Sequence, residues 1–403
     1  MSNPYREIFR APGAKSFSAA GFIARLPWVM ATLGIVTMLS QTHGGYWLAG
    51  AVAATFAFAN SLIAPQISRL VDRYGQSRVL PPATALTVVA LAGLMLATRL
   101  GAPAWTLFLF AMLAGFMPSM GALVRARWTE IYRDTPKLHT AFAFESVIDE
   151  VIYMAGPVIS IGLSVALFPE AGPLAATLFL AVGTLLFVLQ KATEPPVHAQ
   201  GRSAGTSVIR LGSVRIIVLT LIAIGAIFGT AEVTAVAFAE QQSLKAAASL
   251  VLASYAAGSL IVGLVFGTLK LRMPLARQLV LAIGLAALTT LPLLVIGSLP
   301  VLAGVLFLAG AAVSPTLIIS MGLIERVVPA AKLTEGVTWA MTGVGIGMAL
   351  GSSLSGWVID QFGAASGFWV SIAAGVMALA TVLLGYRHVE EQARECAMQP
   401  AVA

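Results

Sequence analysis

Long apolar runs alternate with short polar connections along the 403-residue chain. A helix needs about 20 mostly apolar residues to cross a bilayer, and twelve runs bounded by charges, Gly or Pro come close to that length. They lie at 17–41, 46–66, 79–98, 104–125, 142–168, 173–190, 214–239, 247–269, 278–298, 301–324, 336–359 and 366–386. The pattern predicts an all-α integral membrane protein with twelve transmembrane helices.

The composition excludes the soluble classes of protein. Only 10% of the residues are charged, against about 25% in a soluble domain, so the chain cannot cover an aqueous surface. This argues against a cytosolic enzyme, a nucleic-acid-binding domain and a disordered scaffold. The one cysteine, Cys396, excludes an internal disulfide and a Cys-based metal cluster. The polar stretch 1–16 precedes the first apolar run without a cleavage site, so we expect no removable signal peptide.

The positions of Lys and Arg predict the orientation, because cytoplasmic loops are enriched in them. With a cytoplasmic N-terminus, 21 of the 24 Lys and Arg fall on the cytoplasmic side, including Arg125 and Arg127 after the fourth run. The opposite side holds Arg99 and Lys245, and Arg25 lies inside the first run. We therefore expect both termini in the cytoplasm and a multi-pass membrane protein. The net charge of +7 is then topological and needs no nucleic-acid partner.

A polar stretch at 191–213 divides the twelve runs into two sets of six. It contains Pro195-Pro196, several Gly and Ser, and charges of both signs, which is typical of a linker. We predict two six-helix bundles, at 1–190 and 214–403, with a short cytoplasmic tail. Two related six-helix halves are a known transporter plan.

Small residues spaced by four predict close helix contacts. Gly156 and Ser160 of the fifth run recur 195 positions later in the eleventh, which carries four such residues: Gly343, Gly347, Gly351 and Ser355. Small residues let helix backbones approach closely in lipid. The spacing favours static packing, and the alternative is a smooth surface along which one half rocks against the other.

The connection after the second run, Ser68 to Leu80 (SRLVDRYGQSRVL), resembles the loop signature of the major facilitator superfamily. Five positions match, with Ser68 standing where the family has Gly: Leu70, Asp72, Arg73, Gly75 and Arg78. The resemblance implies the major facilitator fold and a latch that stabilises the state closed to the cytoplasm. A tight turn is expected at Gly75, and Asp72 can meet a helix N-terminus, whose partial positive charge favours an anion.

Other segments resemble a bacterial branch of twelve-helix efflux permeases within that superfamily. Gly156-Pro157 matches the core of an exporter motif in part, because further glycines of that motif are absent. Arg25-Leu26-Pro27 and the stretch 145–150 (ESVIDE) resemble features of the same branch. The resemblance covers nearly the whole chain. It implies fold, class and a place in the inner membrane of a bacterium, but not substrate.

Ionisable residues within the apolar runs are the candidate transport sites, because an isolated charge there costs at least about 2.5 kcal/mol. Arg25 and Asp149 lie at similar predicted depths, which suggests an ion pair between them. Protonation of Asp149 would then free the arginine. The alternative is that the Arg25 side chain snorkels to the interface. Asp149 is the expected proton-coupling acid and Glu150 the next candidate. Glu145 lies nearer the interface as an entrance charge. Glu232 has no cation near it in sequence and suggests a protonated acid or a wet cavity.

Four further residues at similar depths are candidates to line a substrate cavity: Asn60, Trp28, Tyr153 and Trp339. Asn60 is the single Asn inside a predicted span, and the aromatic rings offer stacking surfaces. For the aromatic residues, ordinary packing is the alternative interpretation.

The sequence predicts a secondary active transporter that works by alternating access, exporting a small organic molecule, such as a drug-like compound, sugar or metabolite, in exchange for protons. The alternative is a proton-coupled importer of a sugar or organic anion, in which Arg25 would bind the anion. A non-transporting sensor and a membrane enzyme are remote alternatives, since neither H-E-x-x-H nor a nucleotide-binding P-loop is present. We expect a monomer in the lipid bilayer with the proton as coupling ion and no other cofactor.

Overall fold

The computed structural model describes residues 4–43, 46–197, 207–242, 247–269, 271 and 273–398. Within those ranges the regular structure is helical, and no strand occurs. This confirms the all-α class that the apolar runs predict.

The helices up to residue 193 begin with a short segment ahead of the first apolar run. They are α1 (Pro4–Ile8), α2 (Ala14–His43), α3 (Tyr46–Tyr74), α4 (Gln76–Arg99), α5 (Ala104–Ala114), α6 (Met120–Tyr132), α7 (Pro136–Ala166) and α8 (Ala171–Leu189). A single 3₁₀ turn at Lys191–Thr193 follows α8.

The remaining helices are joined by several 3₁₀ turns. They are α9 (Gly212–Gln241), α10 (Ala247–Phe266), α11 (Leu275–Thr290), α12 (Leu299–Val327), α13 (Leu333–Phe362) and α14 (Phe368–Met398). The 3₁₀ turns are Val208–Arg210, Leu291–Val295, Ala330–Lys332 and Ala364–Gly367.

Each predicted apolar run falls on helical structure, with the fourth run divided between two helices, and the helices are not all long enough to span a bilayer. Ten described helices are long and apolar enough, while Ala104–Ala114 and Leu250–Phe266 form shorter apolar helices. By length and composition these helices agree with a multi-pass membrane protein, and the count of twelve spans stays a prediction.

The chain forms two compact units. One comprises Met1–Thr135 with Ile148–Gly205, and the other comprises Pro136–Val147 with Thr206–Ala403. The division after Gly205 lies within the stretch interpreted as a linker, of which 198–206 is outside the described residues. The first turns of α7 belong to the second unit, which sequence alone did not indicate.

The fourth apolar run differs from its prediction, because it is broken into α5 and α6 around Pro118. Proline has no N–H to donate and clashes with a helix interior. The chain resumes as α6, which carries Arg125 and Arg127 well inside the helix. These two arginines therefore lie within a helix and not in a connection, and both are buried, at 2% and 0% exposure. Their predicted cytoplasmic side stays a prediction. Buried charges need partners, and the structure supplies them.

In the second unit, α9 and α13 contact each other through glycine. A side chain at Gly347 would overlap the carbonyl oxygen of Ile222, and one at Gly351 would overlap that of Ala226. Gly225 and Gly229 of α9 make the reciprocal approach to α13. The small-residue stripe of α13 is therefore a packed helix contact.

In the first unit, the corresponding pair on α7 contacts α2. A Cβ at Gly156 would lie 3.1 Å from the Cβ of Val29, and the Ser160 hydroxyl donates to the carbonyl of Met30 at 2.7 Å. The recurring pair of small residues thus marks, in each unit, a helix packed against the unit's first long helix.

We expect Gly347→Ala to lower the stability of the folded protein by about 1–3 kcal/mol, the usual cost of overpacking. The matched control is Gly345→Ala on the same helix, where a Cβ meets nothing within 4 Å. That control should be neutral or slightly stabilising, since Ala is the better helix former. Thermal unfolding of the purified protein in detergent measures both, and equal midpoints for the two variants would contradict the packing described here.

Candidate functional site

The first unit contains an ion cluster in which two arginines share one carboxylate. Arg25 Nη1 on α2 donates to Asp149 Oδ1 on α7 at 2.9 Å. Arg125 Nη2 on α6 donates to Asp149 Oδ2 at 2.6 Å. Each carboxylate oxygen therefore accepts from a different guanidinium. The contact between Arg25 and Asp149 that the matching depths suggest is present, and snorkelling of Arg25 is not what the structure shows.

The two arginines are more deeply buried than the carboxylate. Arg25 and Arg125 are 6% and 2% exposed, whereas the side chain of Asp149 is 28% exposed. Removing one partner of a buried ion pair typically costs about 3–5 kcal/mol, because it leaves an uncompensated charge. The three side chains are therefore mutually dependent, and Asp149 is the member that can be reached from outside the cluster.

Both arginines are oriented by a glycine one helical turn earlier. Arg25 Nε donates to the carbonyl of Gly21 and Arg125 Nη1 to the carbonyl of Gly121, each at 3.3 Å. Arg125 was missed as a site residue because its charge was taken as the end of a span. The signal that could have found it is the repeated Gly-x-x-x-Arg spacing, at 21–25 and 121–125.

The other candidate acids lie apart from this contact. Glu145 is fully buried and Glu150 is partly buried, both on α7. Glu145 belongs to the second unit and Asp149 to the first, although they are one helical turn apart. Glu232 is partly buried on α9 in the second unit, and no described cation pairs with it. Their roles in coupling stay predictions.

Asn60 holds the break between α5 and α6. Its amide nitrogen donates to the carbonyls of Gly115 and Met117, at 3.0 and 2.7 Å. These carbonyls need an outside donor because the helix is interrupted there. Both amide protons are thus used in structure, which sequence reasoning did not anticipate.

The three aromatic candidates have different surroundings. The ring of Trp28 packs at 5.6 Å from that of Phe56, as the alternative of ordinary packing predicts. Tyr153 is 38% exposed on α7. Trp339, in the second unit, has a buried indole nitrogen without a hydrogen-bond acceptor among the described residues. Substrate contact by these residues stays a prediction.

The signature loop turns at Gly75, which has a φ of +91° and precedes α4. A Cβ there would lie 3.0 Å from Glu194 Oε1, and this same oxygen accepts from the backbone N–H of Ser77 at 2.8 Å. The acid at the N-terminus of α4 is thus Glu194, from the segment after α8, which the sequence did not single out.

The other signature residues lie around this turn. Leu70, Arg73 and Arg78 are exposed, and Asp72 is partly buried. The contact of Asp72 with a helix N-terminus, and the latch that the signature implies, stay predictions.

Arg127 joins three elements next to that loop. Its guanidinium donates to Gln76 Oε1, to Thr193 Oγ1 and to the carbonyls of Gln190 and Phe187, at 2.7 to 3.1 Å. It also lies 3.8 Å from the centre of the Phe187 ring.

A comparison with protein families gives one match. The model of the family described as "Major Facilitator Superfamily" matches residues 17–299 and 245–397, which is most of the chain. A search of curated proteins returns no match for this sequence.

Solved transporter structures share the fold. A bacterial homologue of the iron transporter ferroportin, in an outward-facing state, is 16% identical with a TM-score of 0.74, covering 94% of this chain and 100% of that one. The human organic anion transporter MFSD10 is 15% identical with a TM-score of 0.70, covering 92% and 100%. The E. coli fucose:proton symporter is 14% identical with a TM-score of 0.67, covering 92% and 99%. At these identities the likeness shows the fold alone.

We expect Arg127→Lys to destabilise the first unit by about 2–4 kcal/mol. Lysine keeps the charge, but its single ammonium cannot reach the acceptors that the planar guanidinium serves, and buried acceptors are then left unsatisfied. Arg99→Lys is the matched control, because Arg99 is exposed. Thermal unfolding in detergent should show a lower midpoint for Arg127→Lys only, and equal midpoints would mean that the hydrogen bonds of Arg127 contribute nothing.

Proposed function

The chain belongs to the Major Facilitator Superfamily, and on that premise we propose that this membrane transporter exports a small organic molecule in exchange for protons by alternating access. Membership in the superfamily identifies a transporter and not an enzyme. The direction, the coupling ion and the cargo are the parts proposed here. The observation that carries the proton coupling is the buried contact of Asp149 with two arginines.

We propose twelve spans with both termini in the cytoplasm, in the inner membrane of a bacterium. Ten long apolar helices and two shorter ones support this number. Removing the buried Arg125 and Arg127 from the 21 cytoplasmic cations leaves 19, against Arg99 and Lys245 on the other side. The excess of Lys and Arg on one side, which sets the orientation, is therefore present with or without these two arginines.

Asp149 has the properties that a proton-coupling carboxylate needs. Ionised, it accepts one charged hydrogen bond at each oxygen. A proton on either oxygen neutralises the charge, so the hydrogen bonds from both arginines lose the charge that strengthens them. Since 28% of the Asp149 side chain is exposed, a proton can reach the carboxylate from outside the cluster.

A proton on Asp149 would also change how helices pack. Arg25 on α2 and Asp149 on α7 hold the same two helices that meet at Val29 and Gly156. Val29 is one helical turn from Arg25, and Gly156 is two turns from Asp149. Releasing the ion pair would free α7 to move against α2 at the contact of Gly156 with Val29. Such a movement supports alternating access, and it assigns Gly156-Pro157 a role in the conformational change.

The export direction is supported by the efflux-permease features of the sequence, namely Gly156-Pro157 and the acidic stretch on α7. The solved relatives are named for iron, organic anions and fucose, so the shared fold accepts unlike small cargoes. We propose a monomer in the bilayer that uses the proton as its coupling ion and needs no other cofactor.

Asp149→Asn tests the coupling. A tolerance and metabolite profile of cells with and without the protein first identifies a transported compound. In proteoliposomes, we expect the variant to lose proton-driven transport of that compound more than tenfold while substrate exchange continues, because the amide keeps the shape but cannot cycle through a charged state.

Glu150→Gln is the matched control, since it neutralises the next acid on a different face of α7. It should retain proton-driven transport. Intact proton drive in Asp149→Asn would show that another acid couples, and uptake driven by an inward proton gradient would contradict export.

A further inference from the structure

We infer that the transported molecule carries a carboxylate, and that it binds the Nε–Nη2 edge of Arg125 in the place that Asp149 occupies in this structure. The inference rests on the proposed transport function and names the chemical class of its substrate. The carboxylate is the group shared by small organic acids, and the rest of the molecule is left open by these contacts.

Arg125 presents a donor edge that is half used. In a guanidinium, Nε and Nη2 lie on one edge with their N–H bonds parallel, which matches the two oxygens of a carboxylate. Nη2 donates to Asp149 at 2.6 Å, whereas Nε is buried and has no acceptor among the described residues. A buried donor without an acceptor is rare in native structures and requires an explanation.

The Nε–Nη2 edge of Arg125 is only half used because Asp149 is shared between Arg25 and Arg125. Because Oδ1 accepts from Arg25 and Oδ2 from Arg125, Asp149 does not pair both oxygens with Arg125 in this structure. A carboxylate that is free to rotate can fill Nε and Nη2 together. An incoming carboxylate therefore gains a hydrogen bond that the resident one does not make, and this favours its exchange for Asp149.

The surroundings suit a ligand of this shape. Arg125 Nη1 donates to the carbonyl of Gly121, so the orientation of the guanidinium does not depend on Asp149 alone. A Cβ at Gly121 would lie 3.3 Å from Arg125 Nη1 and 3.6 Å from Cδ of Arg25, so glycine leaves room between the arginines. Asp149, with 28% of its side chain exposed, is the group that an arriving molecule meets and replaces.

The test uses the purified full-length protein and three carboxylates, each beside its uncharged amide: acetate and acetamide, lactate and lactamide, benzoate and benzamide. Ligand-dependent shifts of the thermal midpoint give the affinities. We expect at least one carboxylate to bind the unsubstituted protein and its amide to bind at least tenfold more weakly. Asp149→Asn should bind that carboxylate at least tenfold more tightly, because the competing charge is gone.

Arg125→Lys decides the assignment, since it keeps the positive charge and removes the planar edge. It should lose at least tenfold in carboxylate affinity, while Arg99→Lys on the exposed surface should match the unsubstituted protein. If Asp149→Asn does not fold, the comparison of the unsubstituted protein with Arg125→Lys still decides. No binding of any of the three carboxylates, equal binding of acid and amide, or unchanged binding by Arg125→Lys overturns the inference.

The two proposals fail in different ways. Persistent proton drive in Asp149→Asn removes the coupling role and leaves the carboxylate affinity of Arg125 standing. Unchanged affinity in Arg125→Lys, together with lost proton drive in Asp149→Asn, removes the substrate class and leaves the coupling role.

Discussion

A buried charge has to be paired, and much of the first unit follows from that constraint. Three buried arginines find their partners by different means. Arg25 and Arg125 share the carboxylate of Asp149, while Arg127 has its guanidinium hydrogen-bonded to side chains and carbonyls from α4 and from the end of α8. The interruption of α5 and α6 obeys the same rule for uncharged groups, since Asn60 satisfies the carbonyls that the break leaves open.

The helices could be predicted because lipid imposes a simple length and polarity rule on each of them. The apolar runs therefore mark every long helix, and the small residues at 343, 347 and 351 mark a real contact. The rule fails where a span contains charge. Ending the fourth run at Arg125 assigned that residue and Arg127 to a loop, because hydropathy counts a charge without knowing whether it has a partner.

The candidate site was partly within reach of the sequence for the same reason. Arg25 and Asp149 stand out as exceptions in otherwise apolar runs, and comparing their depths was enough to suggest a pair. Arg125 and Glu194 did not stand out, because one ends an apolar run and the other lies in a polar stretch, where charged residues are ordinary. Only the fold brings such residues to their partners. The repeated Gly-x-x-x-Arg spacing is the one sequence feature that Arg125 shares with Arg25. Glu232 is the opposite case. It stands out in the sequence as an acid within an apolar run, and no described cation lies beside it.

The central claim is that Asp149 alternates between a charged and a protonated form. Infrared difference spectroscopy of the protein in lipid, recorded while the pH is lowered, observes this directly through the carbonyl stretch of a protonated carboxylic acid. The account predicts a band in the unsubstituted protein that is absent from Asp149→Asn and still present in Glu150→Gln. An unchanged band in Asp149→Asn, or its loss in Glu150→Gln alone, would contradict it.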